Sequence, residues 1–116
     1  MSESNADNST EPRNPPRSYQ QFVAKYPALG DAHEQIAKTV DDAGPLERKT
    51  CELIKVGICI GAGLESAMRS HVRRAIEHGA TESEVEQAVL LAMNTVGFPR
   101  TVAGWTWAHQ QFERDR

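Results

Sequence analysis

Long apolar runs are missing from this chain. Its longest mostly apolar stretch, Val56 to Leu64, is nine residues long and is interrupted by Gly57, Gly61 and Gly63, whereas a membrane-spanning helix needs about 20. A basic excess is missing too. Lys and Arg number 13 against 16 Asp and Glu, for a net charge of −3. No block of positive charge could grip a phosphate backbone, which argues against nucleic acid as a partner. The N-terminal stretch is rich in Ser, Asn, Glu and Pro with no apolar centre, so it does not read as a secretory signal. A cytoplasmic location is the default expectation.

Metal and cofactor signatures are also missing. His33, His78 and His109 are scattered, and no His/Cys/Asp/Glu set has zinc-like spacing. There is no glycine-rich phosphate loop and no serine nucleophile elbow. Neither a metal nor a cofactor is therefore expected. Cysteine is scarce: Cys51 and Cys59 are the two in the chain. On one helix they would stand about 12 Å apart, too far for a disulfide, which wants its Cα atoms within about 7 Å. Buried thiols are the simpler reading.

What is present describes one soluble domain. The chain has 116 residues, 39% hydrophobic and 25% charged, enough for one modest core. Residues 1–17 are too polar and proline-rich to offset their ordering entropy and read as a flexible tail, leaving 18–116 as the domain. Ser18 and Gln21 resemble a capping box opening a short helix, Tyr19 to Lys25, ended by Pro27. A second helix, Leu29 to Ala43, carries a weak apolar stripe of Ala32, Ile36, Ala37 and Val40 and stops at Gly44-Pro45.

From Leu46 to Ala62 a charged beginning gives way to an apolar second half, as in a helix that starts at the surface and ends in the core. Its glycines favour close helix approach or a break near Gly61 to Gly63. The next helix, Glu65 to His78, has a stripe of Leu64, Ala67, Met68, His71, Val72, Ala75 and Ile76, with Arg69, Arg73, Arg74 and Glu77 opposite. Gly79 fits its C-terminal stop. Thr81 and Glu84 form a second capping box, for a helix to about Val96. Gly97-Phe98-Pro99 then turns the chain into a last helix, Thr101 to Phe112. No segment alternates like a strand. The expected fold is an all-α bundle of five to six helices.

Two side chains break the apolar pattern. His71 lies within a stripe, where an imidazole must find a partner; it suits acid/base chemistry because its ordinary pKa is near neutrality. Glu52 lies one turn before the apolar half of its helix, beside Leu53 and Ile54. A carboxylate next to an imidazole fixes its tautomer and raises its basicity. Periodicity alone leaves open a core histidine bonded to a carbonyl, a solvated glutamate, and arginines on a plain solvated face. Trp105 and His109, one turn apart, fit either a pocket lining or ordinary packing.

The run Pro45-Leu46-Glu47-Arg48-Lys49-Thr50-Cys51-Glu52-Leu53-Ile54, the segment Gly63 to His71, Gly79-Ala80-Thr81 and Gly97-Phe98-Pro99 resemble, in order and spacing, the motifs of the carboxymuconolactone decarboxylase/alkylhydroperoxidase D-like superfamily. The resemblance covers about Pro45 to Trp107. It implies an alkylhydroperoxidase D-like helical bundle that assembles into homo-oligomers, trimers or hexamers. In the peroxidase branch the motif carries a glutamate, a Cys-x-x-Cys pair and a histidine. Those positions fall on Glu52, on Leu64 and Ala67, and on His71. With both cysteines replaced, thiol–disulfide chemistry is not carried over, while the proton-handling pair is.

The decarboxylase branch implies a cofactor-free, lyase-type reaction on a small carboxylated, lactone-like molecule. His71 would be the acid/base and Glu52 its orienter, with Arg69, Arg73, Arg74 or Arg100 available for substrate carboxylates. Two alternatives remain open: a peroxidase using Cys51 or Cys59, and a non-catalytic oligomeric or binding protein in which Glu52–His71 is a structural pair.

Overall fold

The computed structural model describes residues 16–116. Most of the expected tail, residues 1–17, lies outside the described residues, and Arg17 already opens the first helix. Among the described residues there are no strands. These residues form six helices, α1 (Arg17–Lys25), α2 (Pro27–Asp41), α3 (Arg48–Ala62), α4 (Glu65–Glu77), α5 (Glu82–Leu90) and α7 (Phe98–Asp115), with a single helical turn, α6 (Met93–Val96), between the last two. No helix among the described residues is long and apolar enough to cross a membrane.

The centre of the molecule is the α3–α4 hairpin, the most extensively packed pair, with α5 and α7 closing over it. Val56, Cys59 and Ile60 of α3 meet Met68, Val72 and Ala75 of α4, and Val85, Val89, Ala108 and Phe112 complete the core. Each fully buried aliphatic side chain contributes about 1.5–3 kcal/mol. Gly104 lets α7 lie close on α3: a Cβ there would sit 2.9 Å from Ile60 Cδ1. Gly57, by contrast, has open space around it, so that glycine does not serve close approach.

The turns follow local chemistry. Gly63 ends α3 in a left-handed conformation (φ +71°). Its N–H reaches Ile60 O and the Leu64 N–H reaches Cys59 O, the paired bonds of a Schellman motif. Gly79 (φ +98°) does the same after α4, with Gly79 to Ile76 and Ala80 to Ala75. The Thr81–Glu84 capping box opens α5 as the sequence indicates, a cap worth about 1 kcal/mol.

Other expectations need correction. Ser18 does not cap α1: the helix begins at Arg17, two residues before the expected Tyr19, and has no side-chain cap. Pro27, read as a helix stop, is the first residue of α2, where its missing N–H costs nothing. The α2 stripe is not inward, since Ile36 and Val40 are exposed and α1 and α2 bury no residue. The helix expected to run to Val96 stops at Leu90, and Leu91 and Val96 are exposed. The last helix starts earlier than expected, at Phe98, with Thr101 Oγ1 donating to Gly97 O.

Candidate active site

The chain reverses about Gly63 and Leu64 and lays α4 back along α3, so Glu52 and His71, nineteen residues apart, meet between the two helices. His71 Nδ1 lies 2.6 Å from Glu52 Oε1. The exposures are unequal: the carboxylate side chain is 3% exposed and the imidazole 18%. Glu52 is therefore a core residue, as the apolar residues around it in α3 hint, and the imidazole is the half of the pair that solvent can reach.

The other Glu52 oxygen faces a second charge. Lys55 Nζ stands 3.8 Å from Oε2, and 2.6 Å from Asp41 Oδ1 at the end of α2. Arg48 Nε lies 3.7 Å from the other Asp41 oxygen. Burial alone would raise the Glu52 pKa. The hydrogen bond and charge of His71, then the charges of Lys55 and Arg74, overcome that and hold it below its ordinary value. Asp41 and Lys55 were missed in the sequence, although a lysine amid Leu53, Ile54 and Val56 was a signal, as was an aspartate at the unfavourable end of a helix.

The four candidate arginines separate. Arg69 is held by Glu65 and Gln110. Arg73, expected on the solvated face, is buried at 7% exposure, with its charge offset by Glu77 and Asp115. Arg100 Nη1 donates to Ile60 O and Gly61 O at 3.2 and 2.9 Å, closing the C-terminus of α3. Arg74, one turn beyond His71, is the arginine whose charge reaches Glu52.

The two positions on which the resemblance places the redox cysteines also separate. Leu64 precedes α4 and is half exposed, while Ala67 packs against the core. Both cysteines are free thiols, Cys59 buried and Cys51 only partly so. Burial and the Glu52 charge push the Cys59 thiol up in pKa, away from the reactive thiolate. Among the described residues no group of three or more His, Cys, Asp or Glu is arranged to hold a metal.

Two further features lie apart from the pair. A groove of about 410 Å³ runs between α3, α5 and α6, lined by Leu53, Ile54, Gly57, Ala88, Leu91 and Val96 among others; neither Glu52 nor His71 lines it. His109 stacks on Trp105 at 4.4 Å, and its Nε2 is 2.9 Å from Glu86 Oε2 but off the line a hydrogen bond needs. The Trp105–His109 spacing thus reflects ring packing.

Ionised Glu52 makes stability depend on pH. Its folded-state pKa is depressed, so its contribution is complete above the unfolded value and is lost as pH falls through the folded one. Urea unfolding between about pH 5 and pH 3 is expected to show a larger stability loss in the wild type than in Glu52→Gln. Parallel curves would contradict this.

Residues 27–110 match the sequence profile of the carboxymuconolactone decarboxylase family. No curated protein matches the chain. The profile match spans more than half of the chain and takes in both helices that carry the Glu52–His71 pair. The chain belongs to the carboxymuconolactone decarboxylase family.

Proposed function

We propose that this family member is a cofactor-free, lyase-type acid/base enzyme acting on a small carboxylated, lactone-like molecule, with His71 exchanging the proton and Glu52 orienting it. The observation that carries this reading is the 2.6 Å Glu52–His71 contact in which the carboxylate is buried and the imidazole retains an accessible edge. A carboxylate accepting from Nδ1–H fixes the tautomer and leaves Nε2 as the ring nitrogen that exchanges a proton with a bound molecule.

In such a reaction the carbon–carbon bond to the carboxylate breaks and carbon dioxide leaves. The bonding pair stays behind in an enolate-like fragment. A proton from imidazolium Nε2 closes the new carbon–hydrogen bond, and solvent restores the proton to His71. Glu52 stabilises the imidazolium while it is charged. Arg74 is the arginine that fits a remaining substrate carboxylate, because Arg69, Arg73 and Arg100 are engaged elsewhere in the fold.

A thiol peroxidase has less support. Leu64 and Ala67 stand where the redox cysteines would be, and the Cys59 thiol is held protonated by burial. A purely structural pair predicts instead that His71→Ala mainly lowers stability.

Self-association, as a trimer or hexamer, is part of the proposal. Ile36 and Val40 of α2, Ile54 and Ile58 of α3, and Leu91 and Val102 are large apolar side chains left in solvent by a single chain, and homo-oligomers are the usual way to cover such surface.

Two outcomes follow. Turnover of a carboxylated lactone is expected to fall by roughly 10²-fold or more in His71→Ala, assayed on protein shown by circular dichroism to be folded; unchanged turnover would sink the catalytic role. Light scattering is expected to give a mass of at least three chains, and the mass of one chain would refute assembly.

A further inference from the structure

The Glu52–His71 pair is the inner part of a longer row of alternating charges. Reading outward from α4, the groups are His71, Glu52, Lys55, Asp41 and Arg48, with contacts of 2.6, 3.8, 2.6 and 3.7 Å. Three helices contribute: α4 gives His71, α3 gives Glu52, Lys55 and Arg48, and α2 gives Asp41. The two central carboxylates are almost fully covered, at 3% and 8% exposure, and Lys55 between them is 24% exposed.

A carboxylate removed from water needs nearby positive charge to stay ionised. His71 supplies Glu52 with a hydrogen bond and, only when protonated, a charge. The formal cations facing Glu52 are Lys55 from its own helix and Arg74 from α4; Cys59 is the remaining titratable neighbour on α3. Of the two cations, Lys55 is the one fixed in place, because Asp41 holds its ammonium at 2.6 Å. The tie is notable because α2 buries no residue of its own. Its last residue nevertheless reaches into the charge row.

We propose that Lys55, clamped by Asp41 of α2, is a positioning residue that keeps Glu52 ionised and aimed at His71. The chain of cause runs from α2 to the site: Asp41 fixes Lys55, Lys55 fixes the charge on Glu52, and Glu52 fixes the tautomer of His71. Lys55 acts through Glu52 and needs no contact with substrate. The proposal rests on reading Glu52–His71 as the acid/base pair, but its test requires no substrate, so the two can fail separately.

The measurement is the titration midpoint of the Glu52 carboxylate, read by carbon-13 NMR in the full chain. Lys55→Met is expected to raise it by about one pH unit, and Lys55→Arg, which keeps the charge, to return it most of the way. A double-mutant cycle isolates the clamp. In an Asp41→Asn background the Lys55→Met change is expected to move Glu52 by less than it does in the wild type. An unmoved midpoint in Lys55→Met, or an equal rise in Lys55→Met and Lys55→Arg, would overturn the role of the charge. An equal or larger Lys55→Met shift without Asp41 would overturn the clamp. Because Lys55 is partly exposed and Lys55→Arg keeps its charge, misfolding of one variant leaves the others to decide.

Discussion

A buried carboxylate that must remain charged is the constraint on which this structure turns. Glu52 sits in the same layer of α3 as the core residues Val56 and Cys59, where an unpartnered ion would cost several kcal/mol. It is tolerated because α4 presents His71 at 2.6 Å and α3 presents Lys55 on the other side. Both partners depend on the fold around them. His71 reaches Glu52 because two glycine-centred Schellman turns set where α4 begins and ends. Arg100, by capping the last carbonyls of α3, fixes the end from which α4 returns.

The same arrangement separates the candidate site from the core that supports it. The core beneath the pair is aliphatic and closely packed, with Ile60, Met68, Val56 and Val72 fully covered. Such a base lets a short ion pair keep its geometry without movement of its own. The imidazole is the more exposed half of the pair, and Arg74 follows one turn along the same helix. One helix thus carries both the proposed proton-exchanging group and the candidate anion-binding group, while its neighbour carries the carboxylate proposed to orient the imidazole. The α1–α2 pair stands outside this core and shows solvent an apolar face, and α2 is also the element that bears Asp41.

Much of this was legible in the sequence, and the limits have physical causes. The Thr81–Glu84 box and the glycine stops at Gly63 and Gly79 are local chemistry, determined within a few residues, and all three form. The Ser18–Gln21 box matches the same pattern but does not form, because the chain already enters the helix two residues earlier, after Pro16. Helical periodicity placed Arg73 on a solvated face, yet α7 packs against that flank of α4 and covers it. The periodicity of one helix carries no information about a neighbour's position. For the same reason His71 and Glu52 were found through their disruption of apolar pattern and through family resemblance. Asp41 and Lys55, which meet across fourteen residues once α2 ends beside α3, were not.

The central claim is that Glu52 fixes one tautomer of His71, with the proton on Nδ1 and Nε2 left basic. Nitrogen-15 NMR of the imidazole, recorded above its titration in the wild type and in Glu52→Gln, tests it most directly. The account predicts a single Nδ1–H tautomer in the wild type and a mixture of tautomers once the carboxylate is neutralised. A wild-type imidazole carrying its proton on Nε2, or tautomer populations indifferent to the loss of the Glu52 charge, would contradict it.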